Sequence, residues 1–141
     1  MSTNTEDTDL AEAYRATTYR GEPADGDAFD VRIDQSAPID GPAAYITSDN
    51  PGSKRLSDDA NRRRRIALAG ELSERDLKLI PATSIADDGQ WPDECGFWIC
   101  GIDRDDAVEL AERFGQNAIV FITEDRQANL IFCADFHKTD T

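Results

Sequence analysis

Asn50, Gly52 and Ser53, with Asn61 and Arg65 on the element that follows, are the residues of this chain whose types and spacing best suit chemistry. An apolar run, Ala43 to Thr47, ends in Ser48-Asp49-Asn50-Pro51-Gly52-Ser53 and gives way to a helical pattern. A strand that turns through proline and glycine into a helix gathers unpaired backbone N–H groups at one point, and such points hold anions. Arg65 lies about two turns into the helix, within reach of a charge bound at its start. The expected ligand is therefore small and anionic, phosphorylated or nucleotide-like, anchored by Asn50, the Gly52 and Ser53 backbone, Asn61 and Arg65. Trp91 and Glu94, in and after the Gly89-Gln90-Trp91-Pro92 segment, and Gln116 would close the pocket.

No reaction is named by these residues, so whether the protein is an enzyme stays open at this level. The turn carries one glycine, Gly52, and no Gly-Lys-Ser/Thr follows it, which separates it from a Walker phosphate loop. No Ser-His-Asp or Cys-His set, His-Glu-x-x-His motif or paired-carboxylate spacing is present. Cys95, Cys100 and Cys133 are odd in number and lack Cys-x-x-Cys spacing, so no zinc site or disulfide framework is expected, and all three read as packed thiols. No cofactor is called for. The lone His137 sits in a polar tail and takes no catalytic role.

A second reading belongs to a different class. The formal charge is -14, yet Lys54, Arg55 and Arg62 to Arg65 form a basic island opposed only by Asp58 and Asp59. Arg62, Arg63 and Arg64 are placed on the flanks of the helix, as a solvated face or as a docking surface for an acidic protein or RNA in a non-enzymatic interaction module. The acidic bulk argues against DNA and against anionic membranes. No apolar run approaches the roughly 20 residues of a membrane span, and a reducing cytoplasm is the expected location.

The elements that must position these residues follow from periodicity. Residues 1–8 read as a disordered acidic tail, 9–136 as a single α+β domain and 137–141 as a polar tail. A short helix is expected from Asp9, and strands over Thr17 to Tyr19, Ala28 to Ile33 and Ala43 to Thr47. The first long helix runs from Ser57, its N-cap, to about Arg75. At about 100° per residue, Asn61 and Arg65 fall on the same side as Leu68 and Leu72, so two polar groups point inward and must find partners or line a pocket. A short strand over Leu77 to Ala82, stopped by Pro81, is expected, with a loop over Ile85 to Pro92, and another strand covers Phe97 to Ile102. The second helix has Asp103 as its cap, Ala107, Leu110, Ala111 and Phe114 as its stripe and Gly115 as its stop. Ala118 to Thr123 and Asn129 to Phe136 complete a hairpin. The order β-β-β-α-β-β-α-β-β predicts a mainly antiparallel sheet of five to seven strands packed against two principal helices.

One ordered set of motifs carries a resemblance. Tyr14, Thr17-x-Tyr19, Thr47-x-x-Asn50-Pro51-x-Ser53, Ser57-x-x-x-Asn61, Gly89-x-Trp91-Pro92-x-Glu94 and Phe114-Gly115-Gln116-Asn117-Ala118 together resemble a bacterial family, domain of unknown function 3293. The likeness runs from about Tyr14 to Phe132. It departs from the pattern at Ser48-Asp49, where Ala-Trp or similar is expected, and at Cys95-Gly96. The resemblance implies bacterial cytoplasmic origin and supports the domain boundaries, and it implies no mechanism.

Overall fold

The computed structural model describes residues 4–133. Its elements are α1 (Asn4–Arg15), β1 (Thr17–Gly21), β2 (Phe29–Val31), β3 (Ala43–Thr47), a 3-10 turn (Pro51–Ser53), α2 (Asp58–Ser73), β4 (Lys78–Ala86), β5 (Glu94–Cys100), α3 (Arg104–Arg113), β6 (Ala118–Ile122) and β7 (Ala128–Phe132). The strands form one antiparallel sheet in the order β2-β1-β4-β5-β3-β6-β7. The α+β class and the element order match the expectation from periodicity. α1 begins at Asn4, ahead of Asp9, and His137 and residues 134–136 of the last expected strand lie outside the described residues.

The sheet curls until its edges meet. Beyond β2 the chain runs beside the start of β7, where Asp34 N donates to Ala128 O at 2.7 Å, Ala128 N to Gln35 O at 3.0 Å and Ala37 N to Arg126 O at 2.7 Å. Alternation along the strands then sorts side chains into an inside and an outside. Tyr45 of β3, Trp98 of β5 and Val120 and Ile122 of β6 fill the inside together with Tyr19, Val31 and Ile80. Ile46, Ile99, Ile119 and Phe121 face outward onto Leu68 and Leu72 of α2 and Leu110 and Ala111 of α3. Because β3 is covered on both faces, all five of its residues are buried.

Helix boundaries follow the caps. Ser57 Oγ accepts from Ala60 N and Asp103 from Asp106 N, while Gly115 ends the α3 segment at φ 75°, a conformation costly for residues with a side chain. β4 corrects the sequence reading: it does not stop at Pro81 but continues to Ala86, so the loop before β5 begins only at Asp87. Pro81 directs its carbonyl toward Glu22 N, one residue past the end of β1, and its missing N–H falls on that same side. No ladder bond to β5 is lost, which is why proline is tolerated there. The cysteines are also sorted differently from the expectation. Cys133 is buried and Cys100 half-buried, but Cys95 is exposed.

Two glycines test this packing in opposite directions. A Cβ on Gly96 would stand 2.3 Å from the Ile46 carbonyl oxygen, which belongs to β3 and has no room to yield, whereas Gly70 in mid-α2 has open space around it. Gly96→Ala is expected to lower stability by about 1–3 kcal/mol through overpacking, and Gly70→Ala to raise it by about 0.5–1 kcal/mol through helix propensity. Urea unfolding of the two variants checks both signs.

Candidate functional site

At the end of β3 four successive residues, Thr47, Ser48, Asp49 and Asn50, are polar and buried, and Asn61 of α2 is buried beside them. Their partners come from three directions. Asn50 sits at φ 48°, a left-handed conformation that asparagine tolerates. Its N–H donates to Asn61 Oδ1 at 2.9 Å, and its Oδ1 accepts from Asn61 Nδ2 and from Leu56 N, each at 2.9 Å. Asp49 receives Nε and a terminal nitrogen of Arg65 at 2.8 and 2.7 Å and the Cys95 N–H at 3.0 Å. Gln116, just after α3, donates to the Asp49 carbonyl at 3.1 Å. Thr47 Oγ1 donates to Cys95 O at 2.6 Å. Among the described residues the Ser48 hydroxyl is buried without a partner.

The inward direction of Asn61 and Arg65 is as the helical wheel required, and both find protein partners. Arg65 does not reach an anion at the helix start, because Asp49, 1% exposed, occupies its fork. The Gly52 N–H donates to Gly115 O at 2.8 Å and the Ser53 N–H to Asn50 O at 3.0 Å, so neither backbone group is open. Arg64 is corrected as well. It is not a solvated flank residue, since its guanidinium donates to Ser48 O at 2.6 Å and to Phe114 O, tying α2 to the ends of β3 and α3. Arg62 and Arg63 are exposed, and Arg63 pairs with Asp59 one turn away.

The space lies on the other side of the turn. A cavity of about 370 Å³ opens at one end of the curled sheet, and Asn50, Ser53, Trp91, Glu94 and Gln116 line it; Gly52, Asn61 and Arg65 do not. Asn50 Nδ2 and Trp91 Nε1 both donate to Glu94 Oε2, at 2.8 and 2.7 Å, which leaves Oε1 without a partner among the described residues. Burial raises the Glu94 carboxyl above the usual carboxylate range, against the pull of those two donors, and nearby Asp49 adds to the rise. Tyr14, Tyr19 and Tyr45 supply aromatic wall that the sequence motifs did not assign to a site. Their phenols are pushed up by burial, so they stand as neutral groups. The period-2 pattern of β3 placed Tyr45 on the face opposite Ile46, which was the available signal.

α1 is held over this opening by backbone contacts. Tyr19 Oη donates to Tyr14 O at 3.1 Å, Thr17 Oγ1 to Ala13 O at 2.7 Å, and Arg32 reaches Arg15 O at 3.0 Å while forking onto Asp87 at 2.9 and 2.8 Å. Asp88 lines the cavity rim, and the Lys, Arg and His residues of the described chain contribute nothing to its wall. No cluster of three His, Cys, Asp or Glu among the described residues is placed to hold a metal ion. No helix among them is long and apolar enough to cross a membrane.

Arg65→Met strands a buried Asp49 carboxylate and is expected to cost about 3–5 kcal/mol, whereas the double change Arg62→Gln, Arg63→Gln stays within about 0.5 kcal/mol. Ser48→Ala removes an unsatisfied buried hydroxyl and is expected to be neutral or to stabilise by about 1 kcal/mol. Denaturant titration measures all three. The pH dependence has a definite sign. Because the folded Glu94 pKa is raised, its contribution to stability is full below the unfolded value and is lost as pH rises through the folded one. Glu94→Gln abolishes that slope, so its stability relative to the unchanged protein increases from acid to neutral pH.

Comparison with known proteins places this geometry in a family. No curated protein and no solved structure matches the chain. The model of the family described as "Protein of unknown function (DUF3293)" matches residues 46–119. That span is shorter than the motif resemblance, yet it holds the whole polar turn, Asn61, Arg65, Trp91, Glu94 and Gln116, while α1 and Tyr45 fall outside it. With more than half of its length matched, the chain belongs to the DUF3293 family.

Proposed function

We propose that this protein binds a small molecule in the cavity at the end of the curled sheet. The observation that carries the reading is the joint placement of aromatic wall, the Asn50 and Gln116 amides and a carboxylate oxygen that has no partner among the described residues around one space of about 370 Å³. That volume lies in the range of about 300–1,000 Å³ usual for ligand pockets, and the wall is largely apolar with few polar groups, as such sites are. The anionic ligand suggested by the strand-turn-helix loop has little support, because Arg65, Gly52 N–H and Ser53 N–H are committed within the protein. The interaction-module alternative retains Arg62 and Arg63 as its exposed charges, and no feature around them indicates a partner. No reaction is assigned. The reading includes a reducing cytoplasm as its setting, in keeping with three cysteines that form no disulfide.

A neutral polarity-sensitive dye, Prodan, tests the cavity directly. Saturable binding with a blue-shifted emission is expected, and Ala86→Trp, which places an indole on the cavity wall, is expected to weaken it by about tenfold, the scale of a lost contact worth 1.4 kcal/mol. Dye binding that is absent, or that ignores the tryptophan in a folded variant, overturns the proposal. A bound ligand at a hundred times its dissociation constant is expected to stabilise the fold by about 2.7 kcal/mol in thermal unfolding.

A further inference from the structure

We propose, building on the cavity reading above, that the ligand is a small organic cation of the amine or quaternary ammonium class, seated against Glu94 Oε1 and the aromatic wall. The charge inventory of the cavity points that way. Glu94 and Asp88 are its two ionisable acids, and the described residues supply no basic side chain to the lining. An anion entering this space would meet one or two carboxylates and no counter-charge, at a cost that the satisfied backbone donors of the turn cannot offset. A cation meets the opposite arrangement.

Geometry adds to charge. Glu94 Oε2 is occupied by Asn50 and Trp91, which fix the carboxylate plane and leave Oε1 as the acceptor for a ligand N–H or as the counter-charge of an ammonium group. Tyr14, Tyr45 and Trp91 stand around the same space, and ring faces attract cations more strongly once water is excluded. The formal charge of -14 draws cations toward the molecule from solution. Burial raises the Glu94 pKa, and a bound cation favours the ionised form. Binding therefore strengthens as pH rises through the Glu94 titration and levels off above it. Other groups around that carboxylate are Asp49 from the end of β3, Arg65 from α2, Tyr14 from α1, Tyr19 from β1, Tyr45 from β3 and Asp88 from the β4–β5 loop.

Calorimetric titration with choline, its uncharged carbon isostere dimethylbutanol and inorganic phosphate, each between about pH 5 and pH 8, tests the class. Choline is expected to bind about tenfold or more tightly than the isostere at the upper pH and to weaken toward the lower, while the isostere shows no pH dependence. In Glu94→Gln the amide oxygen takes the Asn50 and Trp91 donors and its NH₂ replaces the open acceptor, so choline affinity falls by about tenfold and its pH dependence is lost. If that variant does not fold, the charge and pH comparison on the unaltered protein decides. Equal binding of choline and isostere, or tighter binding of phosphate, overturns the cation while leaving the cavity reading in place. Failure of every probe, Prodan included, overturns both.

Discussion

The structure depends on a buried polar turn at the end of its central strand. Asp49 and Asn50 lie where β3 leaves the sheet, and a turn in the interior exposes backbone and side-chain groups that water cannot satisfy. Asn50 meets this demand by exchanging two bonds with Asn61, one from its backbone N–H and one to its Oδ1, and the same Oδ1 closes the Leu56 N–H. Asp49 meets it with a forked guanidinium and a backbone N–H from β5. With the Gln116 bond to the Asp49 carbonyl, these contacts join three pieces of the chain to the end of β3. α2, β5 and the segment after α3 are held at one point, and loss of any partner leaves the others buried and unpaired.

That point also forms part of the wall of the cavity. The same Asn50 that binds Asn61 through its Oδ1 donates through Nδ2 to Glu94, so the scaffold and the candidate site share a residue. Curling of the sheet supplies the rest. An antiparallel sheet whose edges are joined has an interior, and the interior here is filled by Tyr19, Tyr45 and Trp98, with ring centroids 5.2 and 5.8 Å apart in successive pairs. Filling stops short at one end, where α1 and the Gln90-Trp91-Pro92 segment cover the opening. Asn50, Trp91 and Glu94 thus form one rim: both donors converge on one oxygen, Asn50 from the turn after β3 and Trp91 from the β4–β5 loop, with Glu94 at the start of β5.

Charge is divided in the same way. Two of the four consecutive arginines act as internal ties, Arg64 onto carbonyls and Arg65 onto Asp49, and the other two face solvent. The run of four arginines seen along the sequence is therefore half consumed by the fold. What remains around the cavity is acidic, with Glu94 desolvated and Asp88 at the rim.

Much of this was legible in the sequence. The apolar runs at Ala43–Thr47 and Ala118–Ile122, the caps Ser57 and Asp103, and the inward side of α2 were determined by local patterning, because side-chain direction in a strand or helix is set by backbone geometry alone. Asn61 and Arg65 stood out for the same reason: polar residues on an apolar helix face have to meet something. What they meet was a tertiary matter. The passage of β4 through Pro81 depended on where β1 ends, and the burial of Arg64 depended on Phe114, fifty positions away along the chain. The sign of the site was decided the same way. A Pro-Gly turn opening a helix, with Arg65 two turns along, suggested an anion, and only the folded chain brought Asp49 under Arg65, closed the Gly52 and Ser53 amides and turned Glu94 and three tyrosines toward a space on the far side of the turn. Charges along a sequence add up regardless of contact, whereas a site is defined by the groups that remain unpaired after the fold has satisfied its own.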